Sequence, residues 1–215
     1  MQRTAKNITW SLKNVTWLGG LAFVLLLLGT MGSGCNVRDA AASAPESGLV
    51  SREAQLERGK YLVASLDCNG CHTPWKMGPN GPGPDMTRML SGHPEGATIK
   101  EPAPMLEGPW KFGLVGSNTN TAFSGPWGVS FSANLTPDQN TGLGIWTEEM
   151  FIKALRTGKH YGVSRPILPP MPWPAFRNLT DDDLKAVFAY LRSIPPIKNR
   201  VPDPLLNPTF AETVN

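Results

Sequence analysis

The chain has 215 residues, of which 22 are Gly and 21 Pro, enough for one domain with a sizeable core and a large share of irregular loop. Its formal charge of +3 traces to Arg3, Lys6 and Lys13, which stand in a stretch without acidic residues up to position 34; the remainder is balanced. That balance excludes a basic nucleic-acid surface, and no nucleic-acid partner is expected.

Residues 1–34 read as an export signal, with a basic region ending at Lys13 and an apolar run from Trp17 to Met31. The run is shorter than the roughly 18 residues of a spanning helix, and Gly19 and Gly20 interrupt it. Gly32, Ser33 and Gly34 then precede Cys35, an arrangement that resembles a bacterial lipoprotein signal and makes Cys35 the candidate lipidation site. Gly32 departs from that pattern, which usually has an aliphatic residue there. An ordinary cut near Ala40, Ala41 and Ala42 would discard Cys35. Either route exports the chain. Residues 35–50 are small and polar, as suits a flexible tether, and residues 51–215 are expected to form the folded domain.

A first helix is expected from Ser51 to about Asp67, with Leu56, Gly59, Leu62, Val63 and Leu66 on one face. Gly59 costs about 1 kcal/mol relative to Ala inside a helix, so close approach of another helix is its expected reason. Residues 73–145 are rich in Gly, Pro, Ser and Asn and read as an irregular insertion, with one short strand expected within Trp127–Leu135. So long a loop needs something inside the domain to order it, and a large cofactor is the candidate. A second helix is expected over Thr147–Thr157, with Gly158 past its end. A third follows Thr180, with three aspartates in its first turn and Pro195 and Pro196 as its stop.

Cys68-Asn69-Gly70-Cys71-His72 is C-x-x-C-H. Two thiols at this spacing reach two vinyl groups on one side of a porphyrin, and the next residue brings an imidazole to the iron. A thioredoxin-like pair would want a strand before the motif, where a helix is expected. Structural zinc would want about four ligands, and Cys35 is the only further cysteine, with His93 and His160 distant in sequence. The expected cofactor is therefore one haem c, held through Cys68 and Cys71, with His72 on its iron.

A thioether is the usual second axial ligand of an electron-transfer haem. Met171 stands among Pro169, Pro170, Pro172 and Pro174, whose restricted backbone could hold the sulfur in place. Met77, Met86, Met89 and Met105 lie in the insertion, and Met150 is expected to pack in the core. His160 is expected to face solvent after a helix end, and His93 reads as a loop residue. Trp110, Trp127, Trp146 and Trp173 are expected to wall the haem or fill the core.

On these residues the chain resembles a class I cytochrome c domain, with a helix entering C-x-x-C-H, a methionine loop and a C-terminal helix. The resemblance implies an all-α fold in which the last helix crosses the first, bringing the Gly59 and Tyr61 region against Phe188 and Tyr190. A narrower resemblance runs through Ser132–Asp138, Thr141–Trp146, Ala154–Gly158, Pro170–Pro172 and Ala189–Ser193. These runs are similar to the cytochrome subunits of periplasmic dehydrogenases. Those subunits commonly carry several haem domains, whereas this sequence has a single C-x-x-C-H.

What this implies is a bacterial electron-transfer protein, periplasmic or on the outer face of the membrane and lipid-anchored. Its expected partners are redox proteins: a dehydrogenase, a quinol-oxidising complex or a terminal oxidase. No catalytic residue of its own is expected. The alternative is a haem enzyme or gas sensor whose sixth iron position stays open.

Overall fold

The computed structural model describes residues 51–104 and 113–214. The expected signal, Cys35 and the tether lie outside the described residues, as do Met105 and Trp110. Among the described residues no helix is long and apolar enough to cross a membrane.

Three helices build the core. Helix α1 (Arg52–Ser65) starts where the Ser51 side chain accepts a hydrogen bond from the Ala54 N–H, and it buries Gly59, Leu62 and Val63. The short helix α2 (Cys68–His72) follows it. Helix α3 (Glu148–Thr157) is capped by Thr147, carries Glu148 and Glu149 in its first turn and ends at Gly158 in the left-handed conformation. A single turn, α4 (Trp173–Phe176), comes after the proline-rich segment. Helix α5 (Asp181–Ser193) is capped by Thr180, and it buries Leu184, Val187, Phe188 and Leu191 against Leu62, Val63, Phe151 and Leu155. Its aspartates also make ion pairs: Asp183 with Arg58 at 2.8 Å, and Asp181 with Arg156. A last helix, α6 (Pro208–Val214), lies near the C-terminus.

The packing of α1 on α5 explains Gly59. A Cβ at that position would lie 2.0 Å from the Ala186 carbonyl oxygen and 2.8 Å from Tyr190 Cβ. Tyr61 does not join this contact; it is 60% exposed, with the Arg58 guanidinium over its ring.

The all-α expectation is met only in this helical core. The insertion contains a hairpin of β1 (Trp75–Gly78) and β2 (Gly81–Pro84), and most of an antiparallel sheet. That sheet comprises β3 (Val115–Gly116), β4 (Ala122–Gly125), β5 (Gly128–Phe131) and β6 (Leu205–Leu206), hydrogen-bonded in that order. All four residues of β4 are buried, so the strand has no alternation of apolar and polar residues to betray it. The strand expected within Trp127–Leu135 is realised as β5, after which Ser132–Leu135 leaves the sheet. Leu135 N donates to Leu90 O, and His93 N to Ser132 O, so segments 90–93 and 132–135 run side by side.

Candidate functional site

The C-x-x-C-H residues occupy α2, set off from α1 by Asp67, whose φ of 52° turns the chain sharply. Its position is fixed from outside. The Gly70 carbonyl accepts hydrogen bonds from Trp75 Nε1 at 2.9 Å and Asn120 Nδ2 at 2.8 Å. Thr73 donates through Oγ1 to Asn69 Oδ1 and accepts there from Leu90 N, both at 2.8 Å. The turn is thus tied to three parts of the insertion.

His72 is buried, and its Nδ1 lies 2.8 Å from the Ala133 carbonyl oxygen. A carbonyl only accepts, so Nδ1 carries the proton and Nε2 keeps its lone pair. Burial pushes the imidazole toward its neutral form, partly opposed by the bond to Ala133. Among the described residues Nε2 has no hydrogen-bond partner. This is the tautomer of a metal-ligating histidine whose second nitrogen is oriented by a backbone carbonyl.

The approach of Ala133 depends on Gly92. That residue has φ +78°, and a Cβ there would meet Ser132 O at 2.5 Å and Ala133 C at 2.6 Å. Its N–H also donates to the His72 carbonyl at 2.7 Å.

Cys68 and Cys71 are not joined in a disulfide. Burial, with Asp67 nearby, pushes the Cys68 thiol up to about 11 and raises Cys71 in the same way. Two protonated thiols beside a buried, neutral, lone-pair-bearing imidazole form a donor set that fits haem c: two sulfurs for thioethers and one nitrogen for iron.

The methionines separate by exposure. Met77 is 77% and Met86 56% exposed, and Met150, expected in the core, is 39% exposed on the outer side of α3. Met171 and Met89 are half-buried and pack against the helical core. The Met171 segment is pinned at two points: Ser130 Oγ donates to the Pro169 carbonyl at 2.6 Å, and Met171 N to Leu168 O at 3.3 Å.

His93 lies in a loop, as expected, but inside the domain, and His160 does not face solvent freely. His93 is 1% exposed, with Nε2 donating to Ala97 O at 2.7 Å and Nδ1 against Thr121 Oγ1 at 2.9 Å. His160 is half-buried between the edges of Trp146 and Tyr161. Trp127 is buried, and its indole N–H has no partner among the described residues. Trp146 and Trp173 pack on the core.

The fold and this donor set define a haem-binding protein of the c type. The chain belongs to the cytochrome c family, whose family model matches residues 56–195. To a nicotinate dehydrogenase subunit of Pseudomonas putida it is 31% identical over 203 residues, covering 94% of this chain and 13% of that protein. To the cytochrome c subunit of the quinone-dependent alcohol dehydrogenase of Gluconobacter oxydans it is 30% identical over 155 residues, covering 70% of this chain and 24% of that one. To the fructose dehydrogenase cytochrome subunit of Gluconobacter japonicus it is 32% identical over 168 residues, covering 78% and 26%. The chain thus spans about a quarter or less of the length of these relatives. Family membership carries with it covalently bound haem c with its iron, and electron transfer as the use of that group.

Proposed function

We propose that this chain relays single electrons outside the bacterial cytoplasm, with haem c bound through Cys68 and Cys71 and ligated axially by His72 and Met171. In this reading residues 1–34 export it, Cys35 anchors it in lipid, residues 35–50 form the tether and 51–215 the single haem domain. Its partners are redox proteins: a dehydrogenase, a quinol-oxidising complex or a terminal oxidase. The cytochrome subunits of alcohol and fructose dehydrogenases among its relatives favour that setting.

The observation that carries the reading is the state of His72: buried, neutral, its Nδ1 committed to Ala133 and its Nε2 left for a metal. Haem c, when bound, supplies reversible one-electron Fe(III)/Fe(II) chemistry. The protein's residues do the rest. Ala133 orients the imidazole, the thioether of Met171 favours the reduced state, and the surrounding apolar side chains keep water out.

Met171 is preferred to Met89 because of what holds each one. Leu90, next to Met89, is bonded to Thr73 on the histidine's own turn, whereas Met171 arrives on a separate segment fixed by Ser130. If haem c is bound, a methionine on a segment held independently of the histidine's turn would be free to supply the second ligand.

A pyridine haemochrome spectrum with intact mass on the exported protein gives haem count, signal cleavage and lipidation together. One thioether-bound haem and an acylated Cys35 are the expected results. Met171→Ala is expected to abolish the low-spin methionine signature and lower the reduction potential, by a sizeable share of the roughly 0.8 V that axial ligands command. An unchanged low-spin spectrum would remove Met171 from the site. If the unsubstituted protein itself has an open sixth position, the haem enzyme or gas sensor reading takes over.

A further inference from the structure

We infer that Asn199, on the segment after α5, is a positioning residue for the axial histidine. It would set the strength of the His72–Ala133 hydrogen bond and thereby the reduction potential. This rests on the reading of His72 as the iron ligand.

Asn199 is 2% exposed, and its side chain is fully used. Nδ2 donates to the Ser91 carbonyl at 2.7 Å and to the His93 carbonyl at 2.8 Å. Oδ1 accepts from Glu95 N at 3.0 Å and from Arg88 Nη2 at 3.2 Å. The two donor bonds therefore grip the backbone on either side of Gly92.

Gly92 is where the grip reaches His72. Its N–H donates to the His72 carbonyl, and its lack of a side chain admits Ser132 and Ala133. Segment 90–93 is bonded to segment 132–135 on both sides of Ala133, through His93 N to Ser132 O and Leu135 N to Leu90 O. Ala133 O between them accepts from His72 Nδ1.

The same C-terminal segment holds the second side of this ladder. Asn134, the residue after Ala133, donates through Nδ2 to the Ile197 carbonyl at 2.8 Å, and Ile197 N donates to Thr136 Oγ1 at 3.0 Å. Residues 197–199 thus fix both segments that frame the carbonyl. Buried amides with every hydrogen bond made are rigid elements, and removing one leaves several backbone groups without partners.

The chemical consequence follows from what a carbonyl does to an imidazole. A firm Nδ1–H···O=C bond makes Nε2 a more basic ligand, which favours Fe(III) and lowers the potential. Loosening the bond raises the potential and exposes the Nδ1 proton to exchange.

Asn199→Leu, alike in branching and unable to hydrogen-bond, is the test. The variant is expected to retain covalent haem, show a higher midpoint potential, and exchange the His72 Nδ1 proton about tenfold faster, as for the loss of one ordinary hydrogen bond. Asn199→Ser, which keeps one donor, supplies the same readouts should the leucine variant not accumulate. Gly59→Ala, which loosens the fold at the α1–α5 contact, is the control. Potential and proton exchange unchanged in both Asn199 variants, or shifted as much by Gly59→Ala, would reduce Asn199 to a structural residue. A native spectrum without histidine ligation would instead overturn the assignment of His72, so the two failures are distinguishable.

Discussion

Replacing Gly59 with alanine is expected to destabilise the domain by about 2–4 kcal/mol. The added methyl would lie 2.0 Å from the Ala186 carbonyl oxygen and 2.6 Å from its carbon, and these are helix backbone atoms that cannot rotate away. Relief requires α1 and α5 to separate, which loosens the packing of Leu62 and Val63 against Leu184, Val187 and Leu191. Alanine recovers about 1 kcal/mol through its better helix propensity, which the overlap exceeds. Against a total stability of about 5–15 kcal/mol for a domain, the loss is large. A denaturant melt reads it as a lower midpoint with little change in slope. An unaltered midpoint would mean that the two helices do not cross at this residue.

Acid should weaken the fold in two separate windows. His93 is buried with no charged partner in contact among the described residues, Phe131 against its ring, and Glu95, Arg88 and Arg200 on the segments around it. Burial holds its pKa below the usual histidine value, opposed in part by the bond to Ala97. The native state therefore binds fewer protons than the unfolded chain once the pH falls below about 6.5. Stability is full above that value and declines as the pH drops toward the folded pKa, with a slope from this residue of at most about 1.4 kcal/mol per pH unit.

A second loss comes from carboxylates whose folded pKa values are lowered. Asp85 is held at about 2 by Lys76 and Thr87, and Asp138 and Asp183 are lowered by hydrogen bonds from Thr141 and Arg58. Their contribution is present above about pH 4 and fades below it. His93→Gln can keep both hydrogen bonds, an amide N–H to Ala97 and an amide oxygen for Thr121, without titrating. Its stability profile should be flatter between about pH 4 and 6.5, with the more acidic loss intact. A profile as steep as that of the unsubstituted protein would locate the first window elsewhere.

The three core helices and the C-x-x-C-H turn were legible because their signals are local. Caps at Ser51, Thr147 and Thr180 and apolar residues at helical spacing mark the helices within a turn or two. The only boundary shift of note is the left-handed Asp67, which divides the expected first helix from the cysteine turn. The order within the insertion was not legible, because its stabilising groups act at long range. Thr73 bonds Leu90, Asn120 bonds Gly70, and Asn199 bonds Ser91 across 108 residues. Asparagines and threonines in a Gly- and Pro-rich stretch read locally as loop; only the fold reveals that their side chains satisfy buried backbone. The burial of the loop residue His93 is hidden for the same reason, its partners being Thr121 and Ala97. Met171 was singled out by its prolines, and the structure adds the Ser130 bond that no pattern in the sequence announces.

The long reach of Asn199 also makes the site a joint product of both ends of the described domain. Residues 91–93 are gripped by a partner 108 positions later in the chain, so the surroundings of α2 are completed by the C-terminal segment. Loss of the segment after α5 would therefore open the surroundings of His72 from a distance, without a change at any residue of α2.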